Sequence, residues 1–378
     1  MIRKYLQSSK NYYVYSLLMI SLLSGALFSC QSESTTTYLP ESSGPLNQVT
    51  VFASEDWYHS MEEGLRDTLM FGKVFPGLYY PPEIMFGTRQ FDPALLNRFK
   101  NTRLMVEVQQ GTSSISIEQD KFARPQAYVQ VTAPSPQEAV TLLQQNQDSI
   151  LRLFRNTERR FVLAGESHKD QDKTDLKALG VDMLIPKGFV KSLNEENFLW
   201  YRRDFVNTIE NVHQSDQGVV NHSSIDLINL FVYKVPFYKP EVTIEDAIAI
   251  RDSVFRLHTK GNRAPQQMFV GADSLRVMTE DHLQTEKEPM LRDFYDFRQV
   301  SRDSSQSVYE TQGYWSMTLT QMGGPYTMKI IQDHNNNMLY IADAVIFAPL
   351  NQGKSKKRDY LTQYEALFTT FKLNHENQ

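Results

Sequence analysis

The chain has 378 residues, and 39 Lys and Arg against 44 Asp and Glu give a formal net charge of −5. That balance argues against a nucleic-acid-binding surface and against a polybasic membrane patch. Hydrophobic residues make up 41% and aromatics 12%, which excludes a disordered polymer, and a single Cys excludes an internal disulfide.

The chain opens Met1-Ile2-Arg3-Lys4, adds a third cation at Lys10, and has no acidic residue before Glu33. Residues 12–28 are apolar or small, including Leu17, Leu18, Met19, Ile20, Leu22 and Leu23. A basic start followed by a short apolar stretch is the secretory-signal pattern. Ser21, Ser24 and Gly25 dilute the stretch, which falls short of the roughly 20 apolar residues of a membrane span. Leu27-Phe28-Ser29-Cys30 resembles the lipobox of bacterial lipoproteins, Leu-x-small-Cys, with Phe28 larger than the usual residue. The resemblance implies a signal peptide over 1–29, cleavage before Cys30, and lipid attachment (diacylglycerol and palmitate-type chains) at Cys30. Several acyl chains, at about 0.8 kcal/mol per buried CH₂, make a stable anchor.

Removal of residues 1–29 takes away three cations and no anion, leaving 349 residues with 36 cations against 44 anions, net −8. That length exceeds what one core organises, so two domains are expected. The polar, Pro- and Gly-punctuated stretch over 30–47 reads as a flexible tether. Gln31 and Ser32 follow the cysteine. By resemblance to lipoprotein sorting signals they imply the outer membrane facing the periplasm, with surface exposure as the alternative.

Gln48–Ala53 reads as a strand and 56–70 as a helix, with Trp57, Met61, Leu65 and Leu69 on one face. Phe75 to Pro82 forms a Pro/Gly loop, and 83–86 a further strand. Asp92-Pro93 starts a short helix. Strands follow over 103–108, 114–117 and 127–132. Ser135-Pro136-Gln137-Glu138 has the form of a capping box and launches one long helix to about Arg160. Residues 165–174 read as a charged loop and 175–179 as a helical turn. This alternation predicts an α/β sandwich domain over 48–180.

Beyond it, 181–189 reads as a strand running into a turn, and 198–203 and 226–233 as strands. Thr243 caps a helix to Lys260. Strands over 308–318, 326–332 and 338–347 form a meander, with Asn335–Asn337 as a hairpin turn, and 360–371 closes the chain as a helix. The fold class is α+β: two α/β sandwich domains, the second, over 181–374, with an antiparallel sheet flanked by helices. Ile185-Pro-Lys-Gly-Phe189, the aromatic strand around Trp200 and the bracketing helices resemble the PsbP-like sandwich. Leu39-Pro-Glu-Ser-Ser-Gly44, Ile185–Phe189 and Asn197–Arg203 together resemble an uncharacterised family of Bacteroidota lipoproteins of the domain-of-unknown-function type. That resemblance implies an address and an architecture, and no activity.

No catalytic residue, metal site or cofactor is assigned. The eight His make neither H-x-x-x-H nor H-E-x-x-H, and His59 with Glu63 offers only two ligands. Asp170-x-Asp172-x-x-Asp175 lacks the Gly and terminal Glu of a calcium loop. There is no G-x-S-x-G and no S-x-x-K. The basic run Lys354–Arg358 reads as a solvated loop. The binding patch left is Phe75, Tyr79 and Tyr80 on the Pro/Gly loop, with Trp200 and Arg202 on the aromatic strand, where stacked Arg and aromatic groups suit a carboxylate or sugar. The reading is a lipid-anchored envelope module for binding or scaffolding, held to the membrane by its N-terminal lipid, with an envelope protein or glycan as partner and no nucleic acid. It expects no convergent cluster of titratable groups in a deep pocket. An envelope hydrolase or transferase is the rival, and would gather Arg202 with Glu or His in one cleft. An accessory subunit of an envelope complex is the third reading.

Overall fold

A computed structural model describes residues 38–70, 85–166, 173–209, 222–259, 268–269, 296–317, 322–349 and 356–374. The leader, Cys30, most of the tether, the 75–82 loop and Asp170–Asp172 lie outside the described residues. Residues 41–378 cluster as one compact unit, separate from residues 1–40. Among the described residues no helix is long and apolar enough to cross a membrane.

The larger unit contains two sheets. The first has five strands: β1 Gln48–Phe52, β2 Gly87–Phe91, β3 Leu104–Gln110, β4 Ser114–Gln119 and β5 Ala127–Ala133, in the order β2-β1-β3-β5-β4. The first four in that order run parallel, and β4 is antiparallel to β5. Val49, Val51, Phe52, Leu104, Met105 and Val106 are all buried, so the central strands send apolar residues to both faces and both are covered. Helices α1 (Glu55–Leu65), α3 (Pro136–Gln145) and α4 (Gln147–Glu166) cover one face. The other face is closed by Phe91, Leu96, Phe99 and Phe122 around Phe52, Met105 and Tyr128. Leu96 and Phe99 come from the short helix α2 (Leu96–Phe99), which follows a 3₁₀ turn begun by Asp92, whose carboxylate accepts from the Ala94 N–H at 2.8 Å.

Two expectations here are corrected. The strand placed at 83–86 begins at Gly87, which pairs with Gln48, while Met85 and Phe86 are core plugs. The single helix from Ser135 to Arg160 is two helices. Asn146 turns its amide back onto the Leu142 carbonyl at 2.9 Å and leaves helical geometry, as short polar side chains do when they compete for the backbone. Ser135 caps α3 by accepting from the Glu138 N–H at 3.3 Å. The reciprocal half of the expected box is missing, because the Glu138 carboxylate accepts from Ser113 Oγ instead.

The second sheet is antiparallel and pairs in the order β10-β12-β13-β14-β9-β8-β7, with β11 also on β12. Its strands are β7 Val190–Glu195, β8 Phe198–Ile209, β9 His222–Pro236, β10 Met268–Phe269, β11 Asp296–Arg302, β12 Gln306–Met317, β13 Gly323–Asp333 and β14 Met338–Phe347. Leu230 and Val232 enter one core, and Phe231 and Tyr233 the other, as strand alternation requires. Helix α6 (Ile244–His258) covers the second core, launched by a complete capping box between Thr243 and Asp246. Arg251 on α6 pairs with Asp343 on β14, both fully buried, between the rings of Phe255 and Tyr326. Helix α7 (Lys357–Phe368) covers the first core of this sheet. The strand expected over 181–189 shrinks to β6, Val181–Asp182, paired with β15, Lys372–Leu373. Met183 and Ile185 beyond it fill the core as irregular chain. Helix α5 (Thr174–Leu179) sends Leu176 and Leu179 into this same core.

Candidate functional site

Helix α4 carries two stripes. Ile150, Leu151 and Phe154 enter the first sheet's core. Arg155, Glu158, Arg159, Val162 and Glu166 recur at three- and four-residue spacing and share a second face. Helix α7 is also two-sided: Leu361, Tyr364, Leu367 and Phe368 enter the second sheet's core, while Arg358, Thr362 and Glu365 are buried on another side. The two polar stripes meet. The seam between the domains is thus a charged helix–helix contact rather than an apolar one.

One end of the seam is a clasp. Asn47 donates its backbone N–H to Glu158 Oε1 at 2.9 Å and its amide to Asp359 Oδ1 at 2.7 Å, and accepts from Thr362 Oγ1 at 2.9 Å. It adopts a left-handed φ of 54°, which Asn tolerates better than most residues. Arg103 closes the other side, donating to Glu158 Oε2 at 2.7 Å and to the carbonyls of Gly44 and Pro45. Its guanidinium lies 3.8 Å from the Phe161 ring centroid. Burial raises the Glu158 carboxyl above its ordinary value, against the pull of Arg103. Burial likewise raises Asp359, against the hydrogen bond from Asn47.

The middle of the seam gathers cations. Glu365 Oε1 accepts from Gln312 Nε2 at 2.9 Å and from Arg358 Nη1 at 3.1 Å, and its Oε2 faces Arg159 at 3.6 Å. Burial opposes its charge, yet Arg358, Arg155 and Arg159 hold the carboxyl well below the usual range. Arg155 is lowered to about 10 by burial; Glu365 opposes this, and Arg358, Arg159 and Arg298 add to it by repulsion. Arg298 pairs with Glu310 across β11 and β12 at 2.6 Å. Lys329 donates to the Phe368 and Phe371 carbonyls at the end of α7. Between these groups lies a cleft of about 10 Å³, lined among others by Arg155, Arg159, Arg298 and Thr311.

Two further openings follow the same seam. One lies among Glu166, Phe189, Arg203, Phe205 and Tyr364, where burial pushes the Tyr364 hydroxyl well above its ordinary value. The other is a groove of about 440 Å³ bordered by Leu46, Arg124, Phe161, Glu166 and Gln363. Ligand sites favour such positions between domains.

Of the expected patch, the structure describes Trp200 and Arg202. Trp200 is half-buried, donates to Asn229 Oδ1 at 2.9 Å and packs 5.5 Å from Phe231 in the α6-side core. Arg202 is exposed and pairs with Asp204 through two hydrogen bonds of 2.6 and 2.8 Å. Neither borders the seam openings. Arg203, one residue on, points to the opposite face, with its guanidinium 4.5 Å from the Phe205 ring centroid. Phe75, Tyr79, Tyr80 and Cys30 lie outside the described residues. His59 faces Glu55 and Glu62 on the exposed side of α1, and among the described residues no group of three His, Cys, Asp or Glu is placed to hold a metal ion. Five charged groups, Arg155, Arg159, Arg298, Arg358 and Glu365, meet at the seam, around a cleft of about 10 Å³ rather than a deep pocket. The available signal was the second stripe of α4, continuing past Arg160 to Glu166.

A family model described as Domain of unknown function (DUF4837) matches residues 168–370. A second, described as Domain of unknown function (DUF8532), matches residues 42–165. The first contains α7 and the second all of α4 but Glu166, so the seam lies between the two matched segments. A search of curated proteins gave no match.

Proposed function

The chain belongs to the family described as Domain of unknown function (DUF4837), whose description names no activity, and we propose that it is a lipid-anchored envelope protein that binds its partner or ligand in the seam between its two domains. The carrying observation is that three openings among the described residues lie along the α4–α7 contact. Contacts between domains that are polar rather than apolar leave relative motion accessible, which suits a site that opens and closes on a ligand. The chemistry is that of charge recognition. Guanidinium groups stay protonated and donate, and the carboxylate among them is held ionised.

The basic–apolar leader ending at Cys30 supports lipid anchoring, and Gln31-Ser32 supports the outer membrane facing the periplasm. The helices α6 and α7 on opposite faces of the antiparallel sheet support the PsbP-like resemblance of the second domain, and the leader supports the Bacteroidota lipoprotein resemblance. A photo-cross-linker placed at Gln363, beside the groove, tests the binding reading in the native envelope against one at the exposed Tyr238. The reading expects one defined envelope component to be captured from Gln363 and not from Tyr238. Equal capture from both positions, or none from Gln363, contradicts it.

A further inference from the structure

The groove at the end of the seam has a fixed wall. Ser42 donates its backbone N–H to the Arg124 carbonyl at 3.2 Å, and Ser43 donates to the Asn101 carbonyl at 2.9 Å. Arg103 holds the carbonyls of Gly44 and Pro45. These bonds pin the segment 41–46 beside the C-terminal end of α4. Leu46, Pro125, Phe161 and Val162 give the groove an apolar side. Its volume of about 440 Å³ lies within the roughly 300–1,000 Å³ of small-ligand pockets. Two polar atoms along it lack partners. Ser42 is 7% exposed and borders the groove, and its Oγ has no hydrogen-bond partner. Glu166, on the last turn of α4, borders both the groove and the smaller opening beside Tyr364, and its Oε2 is buried and equally without a partner. Buried polar groups are normally paired, so two orphans on one groove call for an occupant.

We propose that the groove binds a saccharide, with sugar hydroxyls at Ser42 and Glu166 and the carbon face of a ring against Phe161 and Leu46. The proposal rests on the seam being the binding site and names the ligand class. Charged groups of both signs border the groove, Glu41 and Glu166 with Arg124, beside the Ser42 hydroxyl and the Gln363 amide. A sugar hydroxyl donates to a carboxylate and accepts from a guanidinium, so one kind of group serves both. Hydrogen bonds to charged groups of this kind are charge-assisted. An ammonium cannot accept and an ionised carboxylate cannot donate, so neither alone serves the whole set. Water satisfies the polar atoms but leaves the apolar side wet. A sugar ring, polar at its rim and apolar on its face, covers both.

The test is saturation-transfer difference NMR on the full chain in a polyoxyethylene detergent, whose headgroup carries no sugar. The probe is the saccharide fraction released from the protein's own envelope by mild acid, with succinate and hexylammonium as charged competitors. Sugar ring protons receive saturation from the protein, the signal titrates to a plateau, and neither competitor displaces it. Glu166→Gln weakens the apparent affinity about tenfold, the loss of one charge-assisted hydrogen bond. Ser42→Ala, which removes the orphan hydroxyl and adds no bulk, also weakens it and leaves the ligand-free unfolding midpoint unchanged or higher. Arg202→Gln, which removes an exposed cation paired with Asp204, leaves the titration intact. Should Glu166→Gln fail to fold, Ser42→Ala decides alone. The proposal is overturned by absent transfer to sugar protons, by equal affinity in the folded groove variants, or by displacement with succinate or hexylammonium. If it is overturned while cross-linking from Gln363 still captures its component, only the ligand class falls and the binding site stands.

Discussion

Glu365 and Arg159 face each other at 3.6 Å, one on α7 and the other on α4, two hundred residues apart in the chain. Their contact is where the two sheets' helical layers meet. Glu365 is the negative charge shared by Arg155, Arg159 and Arg358. Glu365→Gln keeps its shape and removes that charge, leaving buried cations facing one another. The expected loss is about 3–5 kcal/mol of unfolding free energy. Arg159→Gln in the same denaturant assay costs less, because Glu365 keeps its hydrogen bonds from Arg358 and Gln312. A smaller loss for Glu365→Gln than for Arg159→Gln would contradict the shared role of Glu365.

Arg251 and Asp343 make the second core's buried pair, and burial raises Asp343 even with Arg251 beside it. Arg251→Met strands Asp343 without its cation and is expected to destabilise by about 3–5 kcal/mol. The double variant Arg251→Met/Asp343→Leu recovers much of that loss, since an apolar replacement for a buried pair is often neutral. A double-mutant cycle in denaturant measures the recovery. Additive losses would mean that the pair is not what each single substitution breaks.

The clasp has a pH signature. Burial raises Asp359 in the folded protein above its ordinary 3.8, so the folded state binds the proton more tightly than the unfolded one. Its contribution therefore grows as pH falls through the raised value and is complete below the unfolded one. Glu365 acts in the opposite sense: it stabilises above its ordinary 4.5, and this is lost as pH falls through its depressed folded value. Asp359→Asn is expected to raise stability at neutral pH and to flatten the rise on mild acidification. Urea midpoints measured from pH 7 downward read this directly, and an unchanged slope would contradict it.

Gly64 marks a close approach of α1 to α3. A Cβ there would sit 2.3 Å from Val140 Cγ1. Gly64→Ala improves helix propensity but forces the helices apart, for an expected net loss of about 1–3 kcal/mol. Adding Val140→Ala should return part of it. Circular-dichroism melts of the single and double variants decide, and a stabilised Gly64→Ala would refute the contact.

The anchor is tested apart from the fold. Cys30→Ser is expected to reduce metabolic fatty-acid labelling to background and to leave the protein uncleaved or unlipidated. Undiminished labelling rejects anchoring at this cysteine.

Much of the fold was legible because its signals are local. Val51-Phe52 and Leu104–Val106 put apolar residues on successive positions, the mark of strands covered on both faces. Thr243 and Asp246 announce their helix within four residues. The errors fell where tertiary contacts outweigh local pattern. Asn146 splits one apolar periodicity into two helices, and Met183 and Ile185 are as apolar as a strand yet pack as irregular chain. The seam was least legible. Arg155, Glu158 and Arg159 read as a solvated helix face until a second helix, two hundred residues later, buries them. Alternation along β8 shows that Arg202 and Arg203 face opposite ways, but not which face carries α7.

The central claim is that binding occurs at the seam. Amide hydrogen exchange of the full chain, with and without a detergent extract of its own envelope, tests it most directly. The account predicts added protection concentrated in α4 over Gln147–Glu166 and α7 over Lys357–Phe368. Protection confined to α6 or to the edge strand β7, with the seam helices unchanged, would contradict it.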